Sequence, residues 1–137
     1  MTSDDRAEEI RANWQRAVES LDAARLLLGN DHWDIAASRA YYAAFYAVCA
    51  VLLADGKEYA KHSSVLSALH RDYVHTGQLG VEDGQAFSRL FELRGIGDYG
   101  ETRHVSEEQA RTAVDAAAQI LESCGRLLRA RGISYFG

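Results

Sequence analysis

The chain has 137 residues, 47% of them apolar and 26% charged, which is the composition of one ordinary globular domain and not of a disordered segment. Its net charge of −5 argues against a generic nucleic-acid-binding protein with a dominant basic face, but it does not exclude a local basic site. Because proline is absent, we expect an all-helical protein. Two cysteines are too few for a secreted disulfide framework, and the polar, acidic start is unlike a signal peptide, so we expect a cytoplasmic location.

A first helix is predicted over about residues 5–28. Its apolar positions recur every three or four residues and form one stripe: Ile10, Trp14, Ala17, Leu21, Ala24 and Leu28. The pair Gly29-Asn30 is expected to end this helix, and Asp31 to cap the next one.

The second helix, predicted over about 32–54, is the most apolar part of the chain. From Ala40 onward nearly every side is apolar or aromatic, which indicates the central, most buried helix of a bundle. The apolar run to Ala54 is shorter than the roughly 20 residues that span a bilayer. We therefore expect a core helix and no membrane contact.

The third and fourth helices are expected to be shorter. Ser63 or Ser64 is a candidate cap for a helix that reaches Tyr73, and the next helix is predicted over about 83–94. Glycines then stand at positions 95, 97 and 100, and three glycines in six residues disfavour a continuous helix.

The fifth helix is predicted to open at Ser106, which forms a capping box with Gln109. Five helices joined by short connections predict an all-α fold, a single up-and-down bundle in which residues 1–137 form one domain.

The sequence has none of the common motifs for binding metals or cofactors or for covalent catalysis. The chain lacks CxxC, HExxH, GxGxxG, GxxxxGK[ST] and GxSxG patterns. We therefore predict neither a metal site nor a cofactor.

Two polar or aromatic clusters remain as candidate sites. The first lies on the second helix and comprises Arg39, Tyr41, Tyr42, Phe45 and Tyr46. The second follows the fourth helix and comprises Arg94, Asp98 and Tyr99, with Arg103 and His104 nearby. Arginine beside a flexible turn can hold a phosphate or carboxylate. The alternatives are aromatic core packing for the first cluster and a structural ion pair of Asp98 with Arg94 or Arg39 for the second.

These segments, in this order and spacing, resemble the HEPN superfamily of small prokaryotic helical proteins. The likeness extends over about residues 6–128 and is most specific in the second helix. The matching segments are Ser38–Tyr46, Lys61–Ser63, Leu90–Arg94, Asp98–Gly100 and Val105–Glu108.

The resemblance implies a helical bundle that forms homodimers and is encoded beside a minimal nucleotidyltransferase, often as a toxin and antitoxin pair. It also implies a metal-independent ribonuclease, with an arginine followed closely by a histidine as the catalytic signature. In this chain the arginine corresponds to Arg94, but the residue five positions later is Tyr99, preceded by Asp98, and not a histidine. His104 is ten residues from Arg94, too far for the motif. Tyrosine, with an ordinary pKa near 10, is a poor base at neutral pH.

Three hypotheses follow from these departures. In the first, the chain is a module that binds a nucleotidyltransferase partner, a nucleotide or RNA, and its binding residues are Arg39, Tyr42, His62 and Arg94. In the second, it is a ribonuclease with an atypical site of Arg94, Asp98 and Tyr99. In the third, it is a structural scaffold. After folding, His62 or His104 is a candidate for the missing histidine. A polar pocket formed by Arg39, Tyr42, Arg94 and Asp98 would favour the first two hypotheses.

Overall fold

The computed structural model describes residues 2–99 and 102–133, and within these ranges the chain is a bundle of five α-helices with no β-strand. The helices are α1 (Ser3–Gly29), α2 (Trp33–Ala54), α3 (His62–Leu69), α4 (Val81–Tyr99) and α5 (Glu107–Ala130), and a π-helical turn (His70–Val74) extends α3. The predicted all-α fold is therefore confirmed.

Side-chain caps fix the starts of α1 and α5. Thr2 forms a capping box with Asp5, so that α1 begins two residues earlier than predicted. The predicted capping box of Ser106 and Gln109 is present at the start of α5. Asp31 does not cap α2, because it lies in the left-handed region (φ 65°) and His32 occupies the cap position without a side-chain hydrogen bond.

Helix α2 is the centre of the bundle, as predicted. It packs against α1, α4 and α5, and most of its alanines are buried in the core they share. Its length and mean hydropathy of 1.4 would also fit a membrane-spanning helix, but 67% of that apolar window is buried inside the bundle. The α2 sequence is thus explained by packing against neighbouring helices.

The start of α3 differs from the prediction. The helix begins at His62 after Lys61, and neither Ser63 nor Ser64 serves as its cap. The π-helical turn that follows places Tyr73 in the core, with 1% of its surface exposed.

The prediction that α4 ends at Arg94 is wrong. The helix continues through Gly95 and Gly97 to Tyr99. A Cβ atom at position 97 would lie 2.6 Å from the backbone oxygen of Asp34, at the start of α2. Glycine at position 97 therefore permits a close approach of two helices, and this packing outweighs the low helix propensity of glycine.

Gly95 and Gly97, near the end of α4, give a matched test of this packing. Gly97→Ala is expected to lower the free energy of unfolding by about 1–3 kcal/mol, because the added methyl group meets backbone. Gly95→Ala is expected to raise it by about 0.5–1 kcal/mol, because nothing lies near the added Cβ and alanine favours the helix. Urea unfolding of both variants measures the two signs, and equal effects would contradict the account of Gly97.

A polar cluster ties the C-terminal ends of α2 and α5 to the π-helical turn. Arg131 donates two hydrogen bonds to the carboxylate of Asp55, at 2.6 and 2.9 Å, and Tyr73 donates a third at 2.6 Å. Burial pushes the pKa of Asp55 upward, but these hydrogen bonds outweigh it and hold the pKa below its usual value. The cluster therefore joins three elements through one ionised carboxylate.

Candidate functional site

The first half of α2, the C-terminal end of α4 and the start of α3 meet on one side of the bundle. The close approach at Gly97 holds the end of α4 against α2. The side chains that meet there, here called the Arg94 cluster, are Ser38, Tyr41, His62, Arg94 and Asp98.

Asp98 is paired within the Arg94 cluster. Its Oδ2 lies 3.4 Å from Nε of Arg94, one turn back on α4, and its Oδ1 accepts a 2.5 Å hydrogen bond from Ser38. The alternative pair of Asp98 with Arg39 is not among the ion pairs of the described residues. The side chains of Arg94 and Asp98 remain 16% and 23% exposed, so solvent reaches both.

Aromatic rings surround the guanidinium of Arg94. Its Cζ lies 5.5 Å from the ring centre of Tyr41 and 6.0 Å from those of Tyr42 and Phe91. Such contacts stabilise a cation and limit the orientations of its side chain. Arg94 is thereby held in place while part of it faces solvent.

His62 lies against the same aromatic layer. Its Nδ1 is 2.8 Å from the hydroxyl of Tyr41, and its ring stacks on Phe45 with centres 4.3 Å apart. Burial and the nearby charge of Arg94 lower the pKa of His62, and Asp98 opposes this shift. The imidazole is therefore neutral at physiological pH and half-buried.

Tyr41 is the most deeply buried residue of the cluster. It has no exposed surface, and burial raises its pKa well above the usual value, although the charge of Arg94 acts in the opposite direction. The phenol therefore stays protonated. Tyr41 supports the site from inside and has no surface to offer a ligand.

A second set of side chains continues the site along α2 and is called here the arginine–tyrosine strip: Arg16, Arg39, Tyr42 and Tyr46. The Cζ of Arg39 lies 4.6 Å from the ring centre of Tyr42, and that of Arg16 lies 5.8 Å from the ring centre of Tyr46. The two tyrosine rings are 6.2 Å apart. Tyr42, Tyr46 and Arg39 are half-buried and Arg16 is exposed, so the strip is accessible.

The structure thus brings Arg39, Tyr42, His62, Arg94 and Asp98 to one surface. Tyr99 is the last residue of α4, and its side chain lies outside the described part of the chain. The predictions for Gly100 also fall outside it.

His104 is not part of the Arg94 cluster. Its Nδ1 lies 2.7 Å from Asp34, which also accepts a 2.6 Å hydrogen bond from the backbone of Val105. Although burial raises the pKa of Asp34, the bonds from His104 and Val105 outweigh this and lower it. His104 therefore ties the loop before α5 to the start of α2.

Sequence reasoning missed two members of the site. Arg16 lies on α1, and only the packing of α1 against α2 brings it to Tyr46. Ser38 lies in the motif of the second helix, but its role as a donor to Asp98 depends on α4 continuing past Arg94. Neither contact has a local sequence signal.

The chemistry of this surface suits an anion with aromatic groups. Guanidinium groups form charge-assisted hydrogen bonds with phosphate, and tyrosine and phenylalanine rings stack on nucleobases. Within the described residues, no three His, Cys, Asp or Glu side chains are close enough together to hold a metal ion. A ligand of this surface would thus be bound by cations, hydrogen-bond donors and rings.

Comparisons with known proteins agree with this architecture. A model of the HEPN domain matches residues 10–127. A UPF0332 protein of Thermotoga maritima is 43% identical over 122 residues, which are 88% of this chain and 92% of the relative. A protein of Methanocaldococcus jannaschii that is named a "putative toxin" is 32% identical over 102 residues, covering 74% of this chain and 69% of the relative.

Among solved structures, one from Thermus thermophilus has the same fold. It superposes with a TM-score of 0.74 over 87% of this chain and 98% of that chain, at 23% identity. The helical arrangement is therefore shared beyond the level of clear sequence similarity.

Proposed function

This chain belongs to the HEPN domain family, and we propose that it is a toxin-type member that binds single-stranded RNA on the surface formed by Arg39, Tyr42, His62 and Arg94. A cytoplasmic location is part of the proposal. The observation that carries it is the continuous row of guanidinium groups and half-buried aromatic rings from Arg94 to Arg16.

The extent of this surface favours a strand over a single nucleotide. Arg94 and Arg39 both lie by Tyr42, while Arg16 lies by the next ring, that of Tyr46. A mononucleotide carries its charge at one place, whereas a strand presents successive phosphates and bases along its length. The overall charge of −5 means that affinity must come from this local surface.

The test is a binding titration with a short fluorescently labelled single-stranded RNA in the presence of EDTA. We expect anisotropy to rise at micromolar or lower protein concentration, and the affinity to fall steeply with added salt. A mononucleotide such as AMP should compete weakly. Equal competition by AMP would indicate a nucleotide site, and no binding at low salt would contradict the proposal.

The same samples, run on a denaturing gel, test the ribonuclease hypothesis. The observation that favours it is the position of His62 and Arg94 against one tyrosine ring, that of Tyr41. Metal-free cleavage that is lost in Arg94→Ala would identify an atypical ribonuclease. We expect binding without cleavage.

We also propose that the protein binds an antitoxin partner and forms a homodimer. The toxin name of a relative supports an antitoxin partner, and we propose a minimal nucleotidyltransferase in that role. We expect the protein to be a homodimer, with light scattering giving about twice 15.2 kDa. A monomer at micromolar concentration would contradict the proposed homodimer. Failure of the protein to copurify with a coexpressed nucleotidyltransferase would contradict the proposed partner.

A further inference from the structure

The hydrogen bond between Tyr41 and His62 determines which nitrogen of the imidazole carries the proton. In the part of the chain that the structure describes, the hydroxyl of Tyr41 has one hydrogen-bond partner, Nδ1 of His62 at 2.8 Å. Tyr41 has no exposed surface, so water cannot take the place of that partner. A buried hydroxyl that fails to donate its proton loses a hydrogen bond that nothing replaces, which destabilises the folded state. Tyr41 therefore donates and Nδ1 accepts.

This assignment sets the tautomer of His62. A neutral imidazole has one donor and one acceptor nitrogen, so an accepting Nδ1 requires the proton to be on Nε2. Arg94 opposes the charged form, in which both nitrogens would donate. His62 thus offers an N–H group and no free lone pair.

We propose that Tyr41 is a positioning residue that holds His62 as a hydrogen-bond donor through Nε2, so that His62 binds a phosphate oxygen of the RNA and does not act as a proton acceptor. This inference rests on the proposed RNA-binding surface. It assigns a role to a buried residue that itself never touches the ligand.

The tautomer also bears on cleavage. Attack by a 2′-hydroxyl requires a group that accepts its proton, and a histidine that serves as this base must have a free ring nitrogen. In His62, Nδ1 is occupied by Tyr41 and Nε2 carries a hydrogen. The Arg94 cluster therefore has a cation and a donor for phosphate but no imidazole base, which is why we expect RNA to be bound and left intact.

The tautomer can be observed directly, without RNA. Long-range proton–nitrogen NMR spectra distinguish a protonated ring nitrogen from an unprotonated one. We expect Nδ1 of His62 to be unprotonated and Nε2 protonated in the wild type, and this preference to weaken in Tyr41→Phe. A proton on Nδ1 in the wild type would overturn the inference, whatever the outcome of the RNA titrations.

A double-mutant cycle tests whether Tyr41 acts through His62. We expect His62→Ala and Tyr41→Phe each to weaken RNA binding several-fold, and the double variant to bind no more weakly than His62→Ala. Tyr73→Phe is the matched control, because it removes another buried hydroxyl whose partner, Asp55, lies outside the site. It should leave RNA affinity unchanged.

Two results would reject the role of Tyr41 in binding. Either Tyr41→Phe binds RNA like the wild type, or its effect adds in full to that of His62→Ala. His62→Gln, which keeps a side-chain donor, should retain more affinity than His62→Ala, and equal losses would reject the donor role. If the wild type binds no RNA, the proposed function and the phosphate contact both fail, whereas the tautomer is still decided by NMR.

Discussion

Asp55→Ala is expected to lower the free energy of unfolding by about 3 kcal/mol, the lower end of the cost of breaking a buried ion pair. The change leaves the guanidinium of Arg131 and the hydroxyl of Tyr73 without the carboxylate that joins them. Both are partly or wholly shielded from solvent, so water replaces the lost bonds only in part. Urea unfolding monitored by circular dichroism measures the loss.

Asp115→Ala is the matched control for this experiment. Asp115 lies on the exposed face of α5, and its replacement should change the stability by no more than about 0.5 kcal/mol. Equal effects of the two variants would contradict the assigned role of Asp55.

The effect of Asp55 also has a defined pH dependence. Because its pKa is lower in the folded protein than in the unfolded chain, ionised Asp55 adds stability above the usual aspartate pKa of about 3.9. That contribution is lost as the pH falls through the lowered value. The stability difference between wild type and Asp55→Ala should therefore be full at neutral pH and shrink in acid. A difference that stayed constant down to pH 2 would contradict the lowered pKa.

Arg94→Ala is expected to weaken RNA binding roughly tenfold or more, because a hydrogen bond to a charged group contributes about 1.5–3 kcal/mol. The slope of log affinity against log salt concentration should also fall by about one unit, since one fewer phosphate is neutralised. Salt-dependent anisotropy titrations measure both quantities.

Arg89→Ala is the control for the charge change. Arg89 lies on the same helix, but its side chain is 50% exposed and pairs with Glu92. It should bind RNA within about twofold of the wild type, since exposed pairs contribute little. If Arg94→Ala lowered the melting temperature while RNA affinity stayed the same, the pair of Arg94 with Asp98 would be structural only.

Local signals in the sequence were sufficient for most of the fold. The apolar stripe of α1, the continuous apolar surface of α2 and the capping box at Ser106 each arise from neighbouring residues, and each predicted its helix correctly. The end of α4 could not be predicted in this way. The close contact of Gly97 with Asp34 joins residues far apart in the chain. Because of this contact, a glycine that usually indicates the end of a helix lies inside one.

The candidate site likewise contains residues that local spacing brings together and residues that only the tertiary fold brings together. Arg39 and Tyr42 lie one turn apart on α2, so sequence spacing alone places them together. The position of His62 beside Tyr41 depends on the path of the connection between α2 and α3. Sequence spacing does not predict the path of such a connection. The sequence does not decide whether Asp98 pairs with Arg94 or with Arg39, because the choice depends on where α4 ends.

The most direct measurement of the central claim is an NMR titration of the 15.2 kDa protein with single-stranded RNA in EDTA. We predict that the signals that shift most belong to Arg39, Tyr42, His62 and Arg94, while those of the acidic first turn of α1 stay unchanged. Shifts confined to another surface, or no shifts at low salt, would contradict the assignment of this surface as the RNA-binding site.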